Sequence, residues 1–183
     1  MQEDQFISEK RKFQVEEGIL IFLLILSLTG VAITDFSPDD GYGYWIIMVF
    51  VFAVFAILIA WLQSKHREGE FKVIVKDQSL HWATSLLVVG GAFLLQKSGL
   101  LTPQSAGLVI LLILSLATML DGLRIGWRFS LVGLFLGSSS VFGAFYKSSI
   151  WIDLAFAIII VIGTFLWEFW KNKRAKTRAT VTA

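Results

Sequence analysis

Apolar residues fill six long stretches of this chain, at about Gly18 to Thr34, Tyr44 to Leu62, Leu80 to Gln96, Leu100 to Leu120, Phe129 to Tyr146 and Ser149 to Trp170, and charge is confined almost wholly to the gaps. A run such as IIMVFVFAVFAILIAWL shows neither the alternation of a half-buried strand nor the polar stripe of a soluble helix. At about 1.5 Å per residue, spans of roughly 17 to 22 residues reach roughly 25 to 33 Å, matching a hydrocarbon core of about 30 Å. Lipid offers the backbone no hydrogen-bond partner, so a spanning segment must be a helix or part of a closed barrel, and barrels need short alternating segments. The pattern therefore predicts an all-α fold, a polytopic bundle of six transmembrane helices over residues 18–170. An amphipathic tail (1–17) precedes it and a basic tail (171–183) follows.

Composition strengthens that expectation. The chain is 56% hydrophobic and 16% charged, with a mean hydropathy of +0.72, which is more apolar than soluble domains are. The absence of cysteine excludes disulfides, thiolate metal sites and a cysteine nucleophile.

The distribution of charge predicts orientation. Of 16 Lys and Arg, 14 occupy alternate gaps: Lys10, Arg11 and Lys12; Lys65, Arg67, Lys72 and Lys76; Arg124 and Arg128; and Lys171, Lys173, Arg174, Lys176 and Arg178. Only Lys97 and Lys147 fall in the others. By the positive-inside rule both termini belong in the cytoplasm, here of a bacterial plasma membrane. Trp45 and Trp151 at outer ends, with Trp61, Trp82, Trp127, Trp167 and Trp170 at inner ends, read as headgroup anchors. The third span is the weakest, carrying His81 and Trp82 at its start and Gly90-Gly91 at its centre. The first run reads as a retained anchor, since no small-residue cleavage site follows it.

The connections are short. Ser37-Pro38-Asp39-Asp40 predicts an N-cap, a first-turn proline and two acids on the positive end of the helix dipole. The stretch 63–79, with FKVIVKD inside it, is expected to be a cytoplasmic loop lying on the interface, its lysines snorkelling to headgroups. Phe6, Ile7 and Phe13 are spaced for a short surface helix, and the basic C-terminal tail suits anionic lipid headgroups rather than nucleic acid.

Polar residues inside the membrane are few, and each carries a packing reading beside a functional one. Ser138, Ser139 and Ser140 would bond to backbone carbonyls or line a polar path. Gly133 and Gly137 form GxxxG for close helix approach, and Gly90 and Gly91, with Thr84 and Ser85, form a packing face opposite the fifth span. Asp153 caps the sixth helix or carries a proton, and Glu168 is hydrated. His81, Asp121, Arg124 and Arg128 belong at one membrane face, where Arg124 and Arg128, four apart, would share a helix face near Asp121. They would hold a lipid phosphate or simply anchor and pair. The chain has only His66 and His81, no H-E-x-x-H, no G-x-S-x-G and no phosphate-cradling glycine loop. No enzyme, metal or cofactor is expected.

Two short strings recur. LLILSL spans Leu23 to Leu28 and Leu111 to Leu116, and a G-x-F-L-x string ending in Gln or Glu spans Gly91 to Gln96 and Gly163 to Glu168. First matches fourth and third matches sixth, in opposite orientations, as in the inverted repeats of many transporters and channels. The two offsets, 88 and 72 residues, disagree. Three readings remain: a structural or accessory subunit of a larger membrane complex, a small oligomeric transporter or channel with a 3+3 inverted repeat, and a lipid-headgroup enzyme. A continuous polar path beside Ser138 to Ser140 would favour transport. A dry interior would favour the subunit, and His81 converging with Asp121 or Arg124 in a cavity would favour the enzyme.

Overall fold

In a computed structural model, which describes residues 2–64, 69–146 and 150–181, the chain forms α1 (Gln2–Phe36), α2 (Pro38–Gln63), α3 (Glu70–Lys97), α4 (Pro103–Ile125), α5 (Trp127–Phe145) and α6 (Ile150–Val181). No strand occurs among the described residues. Lys65, His66, Arg67 and Lys147 lie outside them, as do the side chains of Phe6, Ile7, Lys10, Lys176 and Arg178. All six helices are long and apolar enough to cross a membrane, the build of a multi-pass membrane protein. Their most apolar windows range in mean hydropathy from 2.9 in α2 to 1.3 in α3 and in α5, so the weakness expected of the third span is shared by the fifth.

Helices run past the apolar stretches because a helix stops at a breaker and not where greasiness ends. Nothing breaks α1 between the tail and Thr34, so the expected surface helix is simply its first turns. FKVIVKD is no loop. It forms the opening turns of α3, which begins after Gly69 in the left-handed region (φ 80°), and Phe71 packs edge-on to Trp61 with centroids 5.1 Å apart.

Two turns are reduced to single residues. Ser37 alone separates α1 from α2, with Pro38 in the first turn and Asp39 and Asp40 after it as expected, although the Ser37 hydroxyl makes no capping bond. Gly126 alone separates α4 from α5 at φ 141°, a backbone conformation that side chains resist.

The helix neighbours follow a simple rule. α1 packs on α2, α4, α5 and α6; α4 packs on α5, α1, α2 and α3; and α2 with α3 and α5 with α6 complete the set of close-packed pairs among the described residues. Advancing every helix number by three, so that α1 becomes α4 and α4 becomes α1, returns the same set. The buried positions agree. From Ile19 to Thr34 each buried residue of α1 falls on a buried residue of α4 under a shift of 87, Ile19 onto Ala106 and Thr34 onto Asp121. Gln78, Trp82, Ser85 and Val89 of α3 fall likewise on Asp153, Ala157, Ile160 and Thr164 of α6 under a shift of 75. The LLILSL match, at 88, is thus one residue out of the register in which the two helices bury their faces.

Large rings fill the centre. Phe52 stacks on Trp82 at 5.7 Å and meets Phe129 edge-on at 6.3 Å, joining α2, α3 and α5. The outside is apolar, with Leu123 and Phe145 each 80% exposed, as lipid contact requires.

Candidate functional site

One face of the bundle gathers the start of α1's apolar run, the ends of α2, α4 and α6's span, and the starts of α3 and α5. On this terminal face, two polar neighbourhoods divide residues expected to lie together. Arg124 and Arg128 share no helix face, because Gly126 breaks the helix between them. Arg124 ends α4, 3.9 Å from Asp77 of α3, both side chains about half exposed. Asp121, expected beside Arg124, is instead fully buried and accepts from Gln78 Nε2 at 2.9 Å and Trp82 Nε1 at 3.3 Å. His81 Nε2 lies 3.1 Å from the Ala117 carbonyl, which only accepts, so that nitrogen carries the hydrogen. The four residues therefore do not form one headgroup clamp.

Arg128 has other company. Its guanidinium lies 2.7 Å from Glu16, 3.3 Å from Glu17 and 3.8 Å from Glu168. Thr164 Oγ1 donates to Glu17 at 2.5 Å, and Gln63 Nε2 donates to Glu16 at 3.1 Å. The Phe13 ring flanks the guanidinium at 4.7 Å. Three helices, α1, α5 and α6, thus meet on one cation, and α2 joins them through Gln63 on Glu16. A buried charge is costly unless paired and hydrogen-bonded, and a guanidinium with five donors can serve several carboxylates. With the Glu17 side chain only 4% exposed and Arg128 13%, the pairing is structural, yet three carboxylates against one arginine leave the cluster formally negative. Glu168, expected to be hydrated, is one of its members.

A cavity of about 210 Å³ adjoins the cluster, polar at Glu16, Gln63 and Arg128 and apolar at Leu20, Leu23 and Val132. Farther along the same two helices, the hydroxyls of Ser27 in α1 and Ser139 in α5 are buried with no hydrogen-bond partner among the described residues. Ser27 follows Glu17 by ten positions and Ser139 follows Arg128 by eleven, so both stand about 15 Å above the cluster. At the opposite face lie Asp35, near the end of α1 and beside Gly143 of α5, and the fully buried Asp153 in the first turn of α6.

The serine and glycine residues divide by helix. Ser140 donates to the Leu108 carbonyl at 2.8 Å and Ser138 is half-buried. Neither they nor Ser139 line the cavity above or the two grooves beside it, one between α3 and α4, the other between α5 and α6. A Cβ on Gly133 would sit 2.7 Å from the Met119 backbone nitrogen, and one on Gly137 would sit 2.5 Å from Ser115 Oγ, so α5 presses on α4 there. Ser115 fastens the contact by donating to the Gly133 carbonyl at 2.7 Å. Gly90 and Gly91 face open space within this chain, and α3 packs chiefly on α2 and α4; it meets α5 through Trp82, edge-on to Phe129 at 6.3 Å, and not through the glycine face expected to do so. Two tryptophans also depart from the anchor role: Trp45, fully buried, donates to Thr34 at 2.9 Å, and Trp82 is 2% exposed in the core.

Glu16, Glu17 and Thr164 were not singled out from the sequence, and Glu168 was named only as a hydrated residue. Their signal was two adjacent carboxylates abutting an apolar run, and another between Trp167 and Phe169, places where an acid needs a cation. Comparison of the chain with protein-family models, curated proteins and solved structures finds no match.

Proposed function

We propose that the protein is a small transporter or channel made of two oppositely oriented three-helix halves, moving a proton or small cation along the interface of the halves, where α1 meets α4, α5 and α6. The helix packing that returns to itself when α1 is exchanged for α4 carries this reading. Three crossings separate α1 from α4, so equivalent helices run in opposite directions, the plan in which the two halves offer alternative access to a shared pathway. The excess of carboxylate around Arg128 favours a cation over an anion. The partnerless hydroxyls of Ser27 and Ser139 offer polar contacts at mid-depth. Leu20, Leu23 and Val132 line the apolar end of the cavity beside Arg128, and in this reading passage beyond it requires the halves to move. The Lys and Arg collar supports a cytoplasmic terminal face, in our reading of a bacterial plasma membrane.

The cysteine-free chain makes the test direct. Leu23 and Ile110 are equivalent under the shift of 87 and are both fully buried. In sealed vesicles of known orientation, Leu23→Cys is expected to react with an impermeant thiol reagent from the terminal side, and Ile110→Cys from the opposite side. Complete protection of both from both sides would remove the transport reading. It would favour an accessory subunit instead, a reading supported by the closed centre in which Trp45, Phe52 and Phe135 are all 0% exposed.

A further inference from the structure

Between α3 and α4 a groove of about 590 Å³ runs from Asp77 and Arg124 at the terminal face to Val88 and Ile113 in the apolar zone. Each wall spans twelve residues, or eleven helical rises, so the groove is about 16 Å long and descends from headgroup level into the hydrocarbon. Its chemistry is graded in the same direction. Asp77, His81 and Arg124 line the interfacial end, and Leu116, Val88 and Ile113 line the deep end. Thr84 and Ser85 stand between, but their hydroxyls already donate to the Leu80 and His81 carbonyls at 2.8 and 3.0 Å. Recognition therefore rests on the charged end.

That end carries both signs. Arg124 and Asp77 are 3.9 Å apart with side chains 53% and 51% exposed, a loose pair that holds little interaction energy of its own and leaves each group free to face a ligand. A phosphate would meet the guanidinium and a neighbouring ammonium would meet the carboxylate. An anionic headgroup without an amine would gain Arg124 and be repelled by Asp77. From this we infer that the α3/α4 groove is a binding site for a zwitterionic aminophospholipid of the phosphatidylethanolamine type, its phosphate on Arg124, its ammonium on Asp77 and one acyl chain on the Leu116 wall. This departs from the anionic headgroup expected from the basic residues alone, and it does not depend on whether the protein transports anything.

The test is native mass spectrometry of the delipidated full-length protein in detergent, titrated separately with phosphatidylethanolamine, phosphatidylglycerol and phosphatidylcholine of the same chains. Phosphatidylethanolamine is expected to bind about fivefold more tightly than phosphatidylglycerol, the scale of one exposed charge contact. Asp77→Asn should bring that ratio close to one, Arg124→Gln should weaken all three lipids, and Leu116→Trp should weaken them by filling the groove. Asp77 and Arg124 are half exposed, so folding survives their replacement, and an unchanged thermal transition verifies it. Equal or tighter binding of phosphatidylglycerol by the wild type would overturn the inference. So would an ethanolamine preference that survives Asp77→Asn, or displacement of the lipid by soluble phosphoethanolamine at the same concentration.

Discussion

At the scale of residues, the fold depends on a few places where a side chain is either forbidden or indispensable. Gly126 sits at φ 141°, and a Cβ there would also lie 2.8 Å from Gln63 Nε2, so Gly126→Ala is expected to cost about 1–3 kcal/mol. Gly133→Ala pushes a methyl into the backbone of α4 and should cost about 1–3 kcal/mol by overpacking. Gly91→Leu, by contrast, meets open space and should leave the thermal transition of the monomer in detergent almost unmoved. A large loss from Gly91→Leu with none from Gly133→Ala would invert the helix contacts described above. Arg128 is indispensable in the other sense, because its removal strands three carboxylates, one of them deeply buried. Arg128→Gln is expected to lower stability by about 3–5 kcal/mol, with part of the loss recovered by adding Glu17→Gln. If chemical denaturation finds the single variant as stable as the wild type, the cluster does not hold the helices together.

At the scale of elements, the spans were legible and their ends were not. Six runs of roughly 20 apolar residues can be satisfied in lipid only as helices, so number and type follow from hydropathy alone. Ends depend on breakers. Without a proline or glycine between Glu70 and Val89, FKVIVKD continues into α3, and α4 continues past Leu120 to the glycine at 126. Val75→Pro tests this: in a helix it removes a backbone bond and clashes with the preceding turn, at about 3 kcal/mol or more. Loss of yield or a lowered transition is expected, and an unaffected variant would restore the interfacial loop. The candidate site was less legible still. Serines, glycines and the four-residue headgroup group could be named, but Glu17 and Arg128 are 111 positions apart, and nothing in the local pattern pairs them. Likewise, Arg124 and Arg128 look like helix neighbours until the glycine between them is seen to turn the chain.

At the scale of the whole molecule, the proposed arrangement is two three-helix halves placed head to tail across a bilayer, each with a one-residue turn between its first two helices. Short shared strings hinted at this, but LLILSL marks a register that the buried faces do not use. The correspondence lies in which helices touch, which sequence alone does not display. Its most direct test uses the two equivalent turns. Single cysteines at Asp39, beside the Ser37 turn, and at Leu123, beside the Gly126 turn, are introduced into the otherwise cysteine-free chain, and oriented sealed vesicles are treated with an impermeant thiol reagent. Labelling of Leu123→Cys from the side that carries both termini, and of Asp39→Cys only from the other side, is the expected result. Labelling of both from the same side would contradict the inverted arrangement and everything built on it.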